Sequence, residues 1–301
     1  SLTIHRDADP DYTDQLFSTH PETHTLSKNE TTLIEYTFSE SPTYDNLIES
    51  ERYYSQTYLQ AIQAGQPINF NFNNKELFKT NINIGQDFIG SPFGFYSPNK
   101  KSLYLENRNK VTKLSQRDGD FPAIQMLISE QGFHVLNYET NNEFLKYDSV
   151  EKFEDFVKEQ GLQSTIDKFD RNKIPTENYR RFAKVLITDG NKGFFIQKSK
   201  LDFEIIALST PYKLKNSFFE FQLFEKNKPL GNWQITIFSK DENNTYKEKI
   251  KTNSNGVGKI RTIENRTYLL SAVKLNKANY FQKLKFKSDW FSLWASLVIK
   301  K

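Results

Sequence analysis

The closing segment DWFSLWASLVI, residues 289–299, constrains the fold more than any other part of the chain. Phe291, Leu293, Ala295, Leu297 and Ile299 fall on one side at period two, and Trp290, Ser292, Trp294, Ser296 and Val298 on the other. This alternation marks a strand with a covered inner face. The run is too short for a membrane helix, which needs about 20 apolar residues. In QPINFNFN (66–73), Ile68, Phe70 and Phe72 likewise alternate with asparagine. Strands are also predicted at 32–38, 102–107, 123–129 and 133–140. After Gly190 they follow at 203–208, 217–224, 233–238, 245–251, 258–263 and 267–274, with Asn255-Gly256 as a turn between two of them. The 26 phenylalanines and 15 tyrosines suit strand-rich cores.

Two stretches break this period. In DSVEKFEDFVKEQG (148–161), Asp148 is placed as N-cap with Glu151 three residues on. Val150, Phe153, Phe156 and Val157 form a stripe, and Gly161 stands at the C-terminal end. A second helix is expected over 176–188, with Tyr179, Phe182, Ala183 and Leu186 facing inward. The segment 44–65 has both helical and extended features. The expected organisation is a polar N-terminal arm at 1–30, a β-sandwich at 31–145, a helical connector at 146–194 and a second sandwich at 195–301. The seven or so short strands of the last part fit an immunoglobulin-like domain. The fold class is therefore mainly β: two immunoglobulin-like sandwiches joined by a short helical segment.

Composition narrows the chemistry. There is no cysteine, which excludes disulfides, thiolate metal sites and cysteine nucleophiles. A net charge of +4 from 41 basic and 37 acidic residues, without a dense basic stripe, argues against a nucleic-acid partner. No transmembrane span or signal peptide is legible. The sequence also lacks the Walker A loop, the dinucleotide-binding glycine motif, the serine-hydrolase elbow and the zincin motif. Asp7, Asp9 and Asp11 resemble the start of a calcium loop, but Tyr12 stands where glycine is required. Asp118-Gly119-Asp120 reads as a polar turn.

Any metal site must then use histidine and carboxylate. The candidate ligands are His5, His20 and His24 in the arm, with Glu22 nearby, and His134 in a predicted strand. Tyr96, Tyr104 and Trp233 are the aromatics suited to stacking on a sugar.

Several segments, in order, resemble a family of exported bacterial proteins described as like the nickel-uptake substrate-specific periplasmic component (NikM-like). They are AGQPINFNF (64–72), GFHVLNYET (132–140), FVKEQGL (156–162), ENYRRFAKVLI (177–187) and LDFEIIALSTP (201–211). NKPLGNWQITIF, TNSNGVGKI, TYLLSAVKL and DWFSLWASLVI follow. The resemblance implies a sandwich fold, inter-domain helices at 156–162 and 177–187, and a periplasmic or cell-surface location. It also implies a divalent transition metal such as nickel, cobalt or zinc, and a membrane transporter or cell-surface protein as partner. The chain departs from the family at two histidines. It has no His-x-hydrophobic-Trp segment before Gly65, and Lys274, a poor ligand as an ammonium, holds the second position.

The expected function is a non-enzymatic exported binding or accessory protein linked to metal or nutrient uptake. The alternatives are a carbohydrate-binding or carbohydrate-processing protein and a protein–protein interaction module.

Overall fold

The structure, a computed structural model, describes residues 2–4, 22–24, 56–61, 76–85, 88, 91–128, 132–167, 169–188, 193–212 and 217–301. The strands expected at 32–38 and 66–73, and most of the polar arm, lie outside the described residues.

The protein is mainly β. In chain order its strands begin with β1 (Leu2–Ile4), β2 (Glu22–His24), β3 (Gln56–Ala61), β4 (Glu76–Gly85), β5 (Ser91–Phe93), β6 (Lys100–Glu106) and β7 (Val111–Lys113). They continue with β8 (Ile124–Ile128), β9 (Phe133–Thr140) and β10 (Glu143–Lys146), helix α1 (Val150–Glu159), and β11 (Thr176–Thr188). Then come β12 (Phe203–Ala207), β13 (Ser217–Glu225), β14 (Lys228–Pro229), β15 (Gln234–Lys240), β16 (Thr245–Lys251), β17 (Val257–Thr262) and β18 (Thr267–Lys277). Helix α2 (Tyr280–Phe286) and β19 (Trp290–Lys300) close the chain.

A nine-stranded sheet forms the middle layer, in the order β16-β15-β18-β19-β11-β9-β6-β7, with β10 also on β11. Strands from both halves of the chain meet in it, because β11 pairs antiparallel with β9 and parallel with β19. One smaller sheet joins β12, β13, β14 and β17; another joins β3, β4, β5 and β8.

The period-two residues of the middle sheet divide between its faces. On one face Phe133, Val135, Phe182, Leu186, Leu293, Ala295, Leu297 and Ile299 pack with Phe203, Ile205, Phe219 and Phe221 of the first small sheet. On the other, Leu136, Tyr138, Ala183, Val185, Ile187 and Val298 pack with Ile82, Ile124 and Met126 of the second. Beside that second contact, α1 covers the end of the same face. Phe156 stacks on Trp294 with ring centroids 5.3 Å apart, and Phe153 lies 5.2 Å from Trp290. The closing segment is thus a strand, as its alternation predicts, and both of its faces are covered rather than one.

The segment 176–188 is a strand, not the second helix that its spacing and the family resemblance suggested. Tyr179, Phe182, Ala183 and Leu186 mimic a helical stripe, but Phe182 and Leu186 belong to one core, Ala183 to the opposite one and Tyr179 to the cluster under α1. A strand buried on both faces loses its alternation, and packing between two neighbours overrides helix propensity. Between 146 and 194 the described helical residues are therefore α1 and a short 3₁₀ turn at Gln163–Thr165.

Two local signals also need adjustment. The N-cap of α1 is Ser149, whose side chain accepts from the Lys152 amide at 3.3 Å, one residue beyond the expected Asp148. Gly161, at φ 69°, follows the helix as expected. Asn255-Gly256 is a turn, with Gly256 at φ 75°. It does not close a hairpin, because β16 pairs with β15 whereas β17 pairs with β13. The chain switches sheets there, with the Asn253 side chain accepting from the Asn255 and Val257 amides, each at 2.9 Å. A side chain on Gly256 would meet the Leu223 carbonyl at 2.8 Å.

Candidate functional site

The predicted histidines fall in separate places. His134 is buried in β9, its Nδ1 3.2 Å from the Gly132 carbonyl. His24 is in β2, paired with Leu2, and Glu22 with Ile4; their side chains, like His5 and His20 altogether, lie outside the described residues. Among the described residues no group of three or more histidine, aspartate and glutamate side chains could hold a metal ion. Lys274, at the position the resemblance gives to histidine, is ion-paired with Glu225.

Asp118 and Asp120 serve their turn. Asp118 accepts from the Ser97 amide at 2.5 Å and its hydroxyl at 2.9 Å, and Asp120 from the Arg117 amide at 2.8 Å. The three aromatics sit in different settings. Tyr96 is exposed, and Trp233 donates from Nε1 to the Val273 carbonyl at 2.9 Å. Tyr104 is pushed up by burial and by Glu204, Glu106 and Glu139.

The densest polar arrangement lies on one face of β6, β9 and β11. Lys184 is buried between the layers and ion-paired with the buried Glu204; its Nζ also donates to Gln197 at 3.1 Å. Gln197 Nε2 donates to Glu106 at 2.9 Å, and Lys200 reaches the same carboxylate at 2.8 Å. Further along, Arg180 joins Glu139 to Asp202, and Lys101 donates to Glu139 at 2.9 Å. Four carboxylates, those of Glu106, Glu139, Asp202 and Glu204, thus face four cations, those of Lys101, Arg180, Lys184 and Lys200. Burial alone pushes the Glu204 carboxyl up. The Lys184 charge and hydrogen bond, with those of Ser199 and the Leu201 amide, overcome it and hold the group below its ordinary range.

The opposite face of β11 carries Glu177, fully buried without such a close ion pair. Tyr147 donates to it at 2.6 Å, and the Ser292 hydroxyl donates to its other oxygen. Ser292 in turn accepts from Trp294 Nε1 at 2.7 Å. Burial raises the Glu177 carboxyl above its ordinary range, against the smaller lowering effects of these hydrogen bonds and of Arg181. Glu177, Lys184 and Glu204 were not singled out from sequence. The available signal was a lysine and two arginines interleaved with Tyr179, Phe182, Ala183, Val185, Leu186 and Ile187, which only pairing can accommodate.

An accessible concavity lies beyond α1. A cleft of about 640 Å³ is lined by Glu154, Lys158, Gln163, Ile166, Asp167, Phe169 and Arg171. Phe169 also lines a smaller adjoining cavity of about 170 Å³, with Asp170, Lys173, Lys277, Lys283, Asp289 and Trp290 among its walls. The floor is held from below, because Phe169 packs edge-on against Phe153 at 5.5 Å. At the rim, Arg171 pairs with Glu154 at 2.8 Å and lies over the Phe169 ring at 5.9 Å. Chemically this is an aromatic floor with charged, hydrogen-bonding walls. Among the described residues no helix is long and apolar enough to cross a membrane.

Fold and site define a layered β protein with an open polar cleft and a buried, charge-balanced framework. The chain belongs to the family described as Domain of unknown function (DUF4198), which matches residues 15–274. It is also 43% identical over 61 residues to a funoran endo-beta-hydrolase of Wenyingzhuangia aestuarii. That match takes in 20% of this chain and 8% of the hydrolase.

Proposed function

We propose that the protein is a non-enzymatic binding or accessory module, exported to the periplasm or cell surface, and that ligand binds in the Phe169 cleft. The observation that carries this reading is the cleft itself: an aromatic floor fixed on α1, walled by side chains that offer charge and hydrogen bonds to a polar ligand. The carboxylates of Glu106, Glu139, Glu177 and Glu204 support it too, since each is engaged in an ion pair or a buried hydrogen bond. The architecture is read as two sandwiches fused through the parallel β11–β19 pair. In the C-terminal one, the strand order β12-β13-β17 against β16-β15-β18-β19 supports an immunoglobulin-like topology.

A saccharide is the ligand class that suits this lining, with Phe169 for apolar contact and Arg171, Glu154 and Asp167 for hydroxyls. The short similarity to a polysaccharide hydrolase supports the same class. A stretch of 61 residues is at the small end of domain size and fits a binding module better than a hydrolytic one. Calorimetry of the full chain against neutral and acidic oligosaccharides tests this. Binding should be weakened at least tenfold by Arg171→Ala, whose side chain is exposed and whose loss leaves the fold intact. Binding indifferent to Arg171 would remove the cleft from the reading.

The family resemblance favours a second ligand, a divalent metal for uptake, with His5, His20, His24 and His134 as its histidines. Metal analysis of the purified protein, then calorimetry with nickel, cobalt and zinc, separates the two. Neutral imidazole is the ligand, so affinity should fall below about pH 6.5.

A further inference from the structure

The turn between β18 and β19 leaves apolar surface outside every core. Helix α2 buries none of its residues. Tyr280, Phe281 and Leu284 are 71%, 78% and 63% exposed. At 3.6 residues per turn these three side chains share roughly 100° of the helix surface. Lys283 and Lys285 flank that stripe on its two sides. With Lys277 and Lys287 they give residues 276–287 four positive charges and no acidic residue. The whole chain carries a net charge of only +4, so this tip stands out from an otherwise balanced sequence.

The tip is also preformed. Asn279 accepts from the Gln282 amide at 2.9 Å, and the Gln282 side chain accepts from the Asn279 amide at 3.0 Å. Lys287 ends the helix in the left-handed conformation. Ala278 and Ser288 anchor it from below, both buried, with the Ala278 amide donating to the Asp289 carbonyl at 2.8 Å. The backbone of the tip is therefore already ordered before it docks, which lowers the cost of docking.

We propose that α2 is a docking wedge for an anionic lipid surface. An apolar stripe of aromatic and leucine side chains, bordered by lysines with long stems, is the pattern of an element that lies in the interface between head groups and acyl chains. Size separates this partner from a protein. Three exposed side chains offer roughly 400 Å², about half of the 800 Å² that a standard protein interface takes from each partner. A bilayer needs only the wedge, and the four lysines match the negative potential of its surface. Lys277 and Lys283 also line the smaller cavity beside Phe169, so docking sets the cleft close to the membrane plane.

Co-sedimentation of the full chain with phosphatidylcholine vesicles, with and without phosphatidylglycerol, tests this. The protein should sediment with the phosphatidylglycerol vesicles and be released by high salt. Phe281→Ser with Leu284→Ser should weaken the association by about tenfold or more. Lys283→Gln with Lys285→Gln should weaken it by about 25-fold, at roughly fivefold per lysine. Both variants should unfold at the wild-type midpoint, because the altered side chains are exposed. No association with anionic vesicles, or association that both variants retain, would overturn the proposal. So would self-association abolished by the apolar pair, since α2 would then be covered by a second copy of the chain.

Discussion

The two faces of β11 solve the same problem in different ways. On one face Lys184 and Glu204 are both buried and both charged, and each meets the other. On the opposite face Glu177 is more deeply buried and is held by the hydroxyls of Tyr147 and Ser292. Burial raises both carboxyls, but a cation in direct contact reverses the sign for Glu204, whereas hydroxyl donors and the less intimate Arg181 do not for Glu177. Burial is the largest single effect on both carboxyls, and the sign differs because Glu204 has a cation in contact where Glu177 has neutral hydroxyls. Both groups are framework, fixed between layers, and neither faces the cleft.

The largest perturbation removes what the two faces share. Deleting residues 290–301 strips β19 from between β11 and β18, so both halves should lose cooperative unfolding, followed by circular dichroism. A truncated chain that melts unchanged would separate the halves and end the comparison. Next, Lys184→Met leaves Glu204 buried without its cation, at a cost of about 3–5 kcal/mol in urea unfolding. Adding Glu204→Gln should recover most of that, because the amide oxygen can still accept from Ser199 and the Leu201 amide while the buried unpaired charge is removed. A double variant as unstable as the single one would mean that the pair is not the relevant unit. Trp294→Ala should cost about 3 kcal/mol, through loss of its stack on Phe156 and of its hydrogen bond to Ser292.

The smallest effect is the most discriminating. Glu177→Gln should cost about 1 kcal/mol or less near pH 4, where a neutral side chain already occupies the site. Because its folded pKa is raised, the stability that protonated Glu177 contributes is fully present below the unfolded value of about 4.3 and is lost as pH rises through the folded one. The glutamine variant should therefore lose less stability than wild type over that rise. Glu204 behaves in the opposite sense. Its lowered pKa makes its contribution present above the unfolded value and lost as pH falls through the folded one.

The same contrast explains what could be read from sequence. Short strands bounded by turn residues were legible: Phe133–Thr140, buried along its whole length, and the largely exposed Thr245–Lys251 both fall where expected, and the α1 stripe of Phe153, Phe156 and Val157 docks as predicted. Of the two central strands, β19 was legible and β11 was not. In β11, Arg180 and Lys184 look like the solvated side of a helix until partners from distant segments, Glu139, Asp202 and Glu204, neutralise them. Sequence spacing does not contain those pairings. The cleft was hidden for a related reason, since Phe169 gains its meaning from Phe153 below it and Arg171 above.

The most direct test is to follow the side-chain carboxyl carbons of Glu177 and Glu204 by nuclear magnetic resonance as pH is varied, assigning each by its glutamine variant. The account predicts a Glu177 midpoint above, and a Glu204 midpoint below, the ordinary glutamate value of about 4.3. Midpoints displaced to the same side, or a Glu177 that ionises at or below the ordinary value, would contradict it.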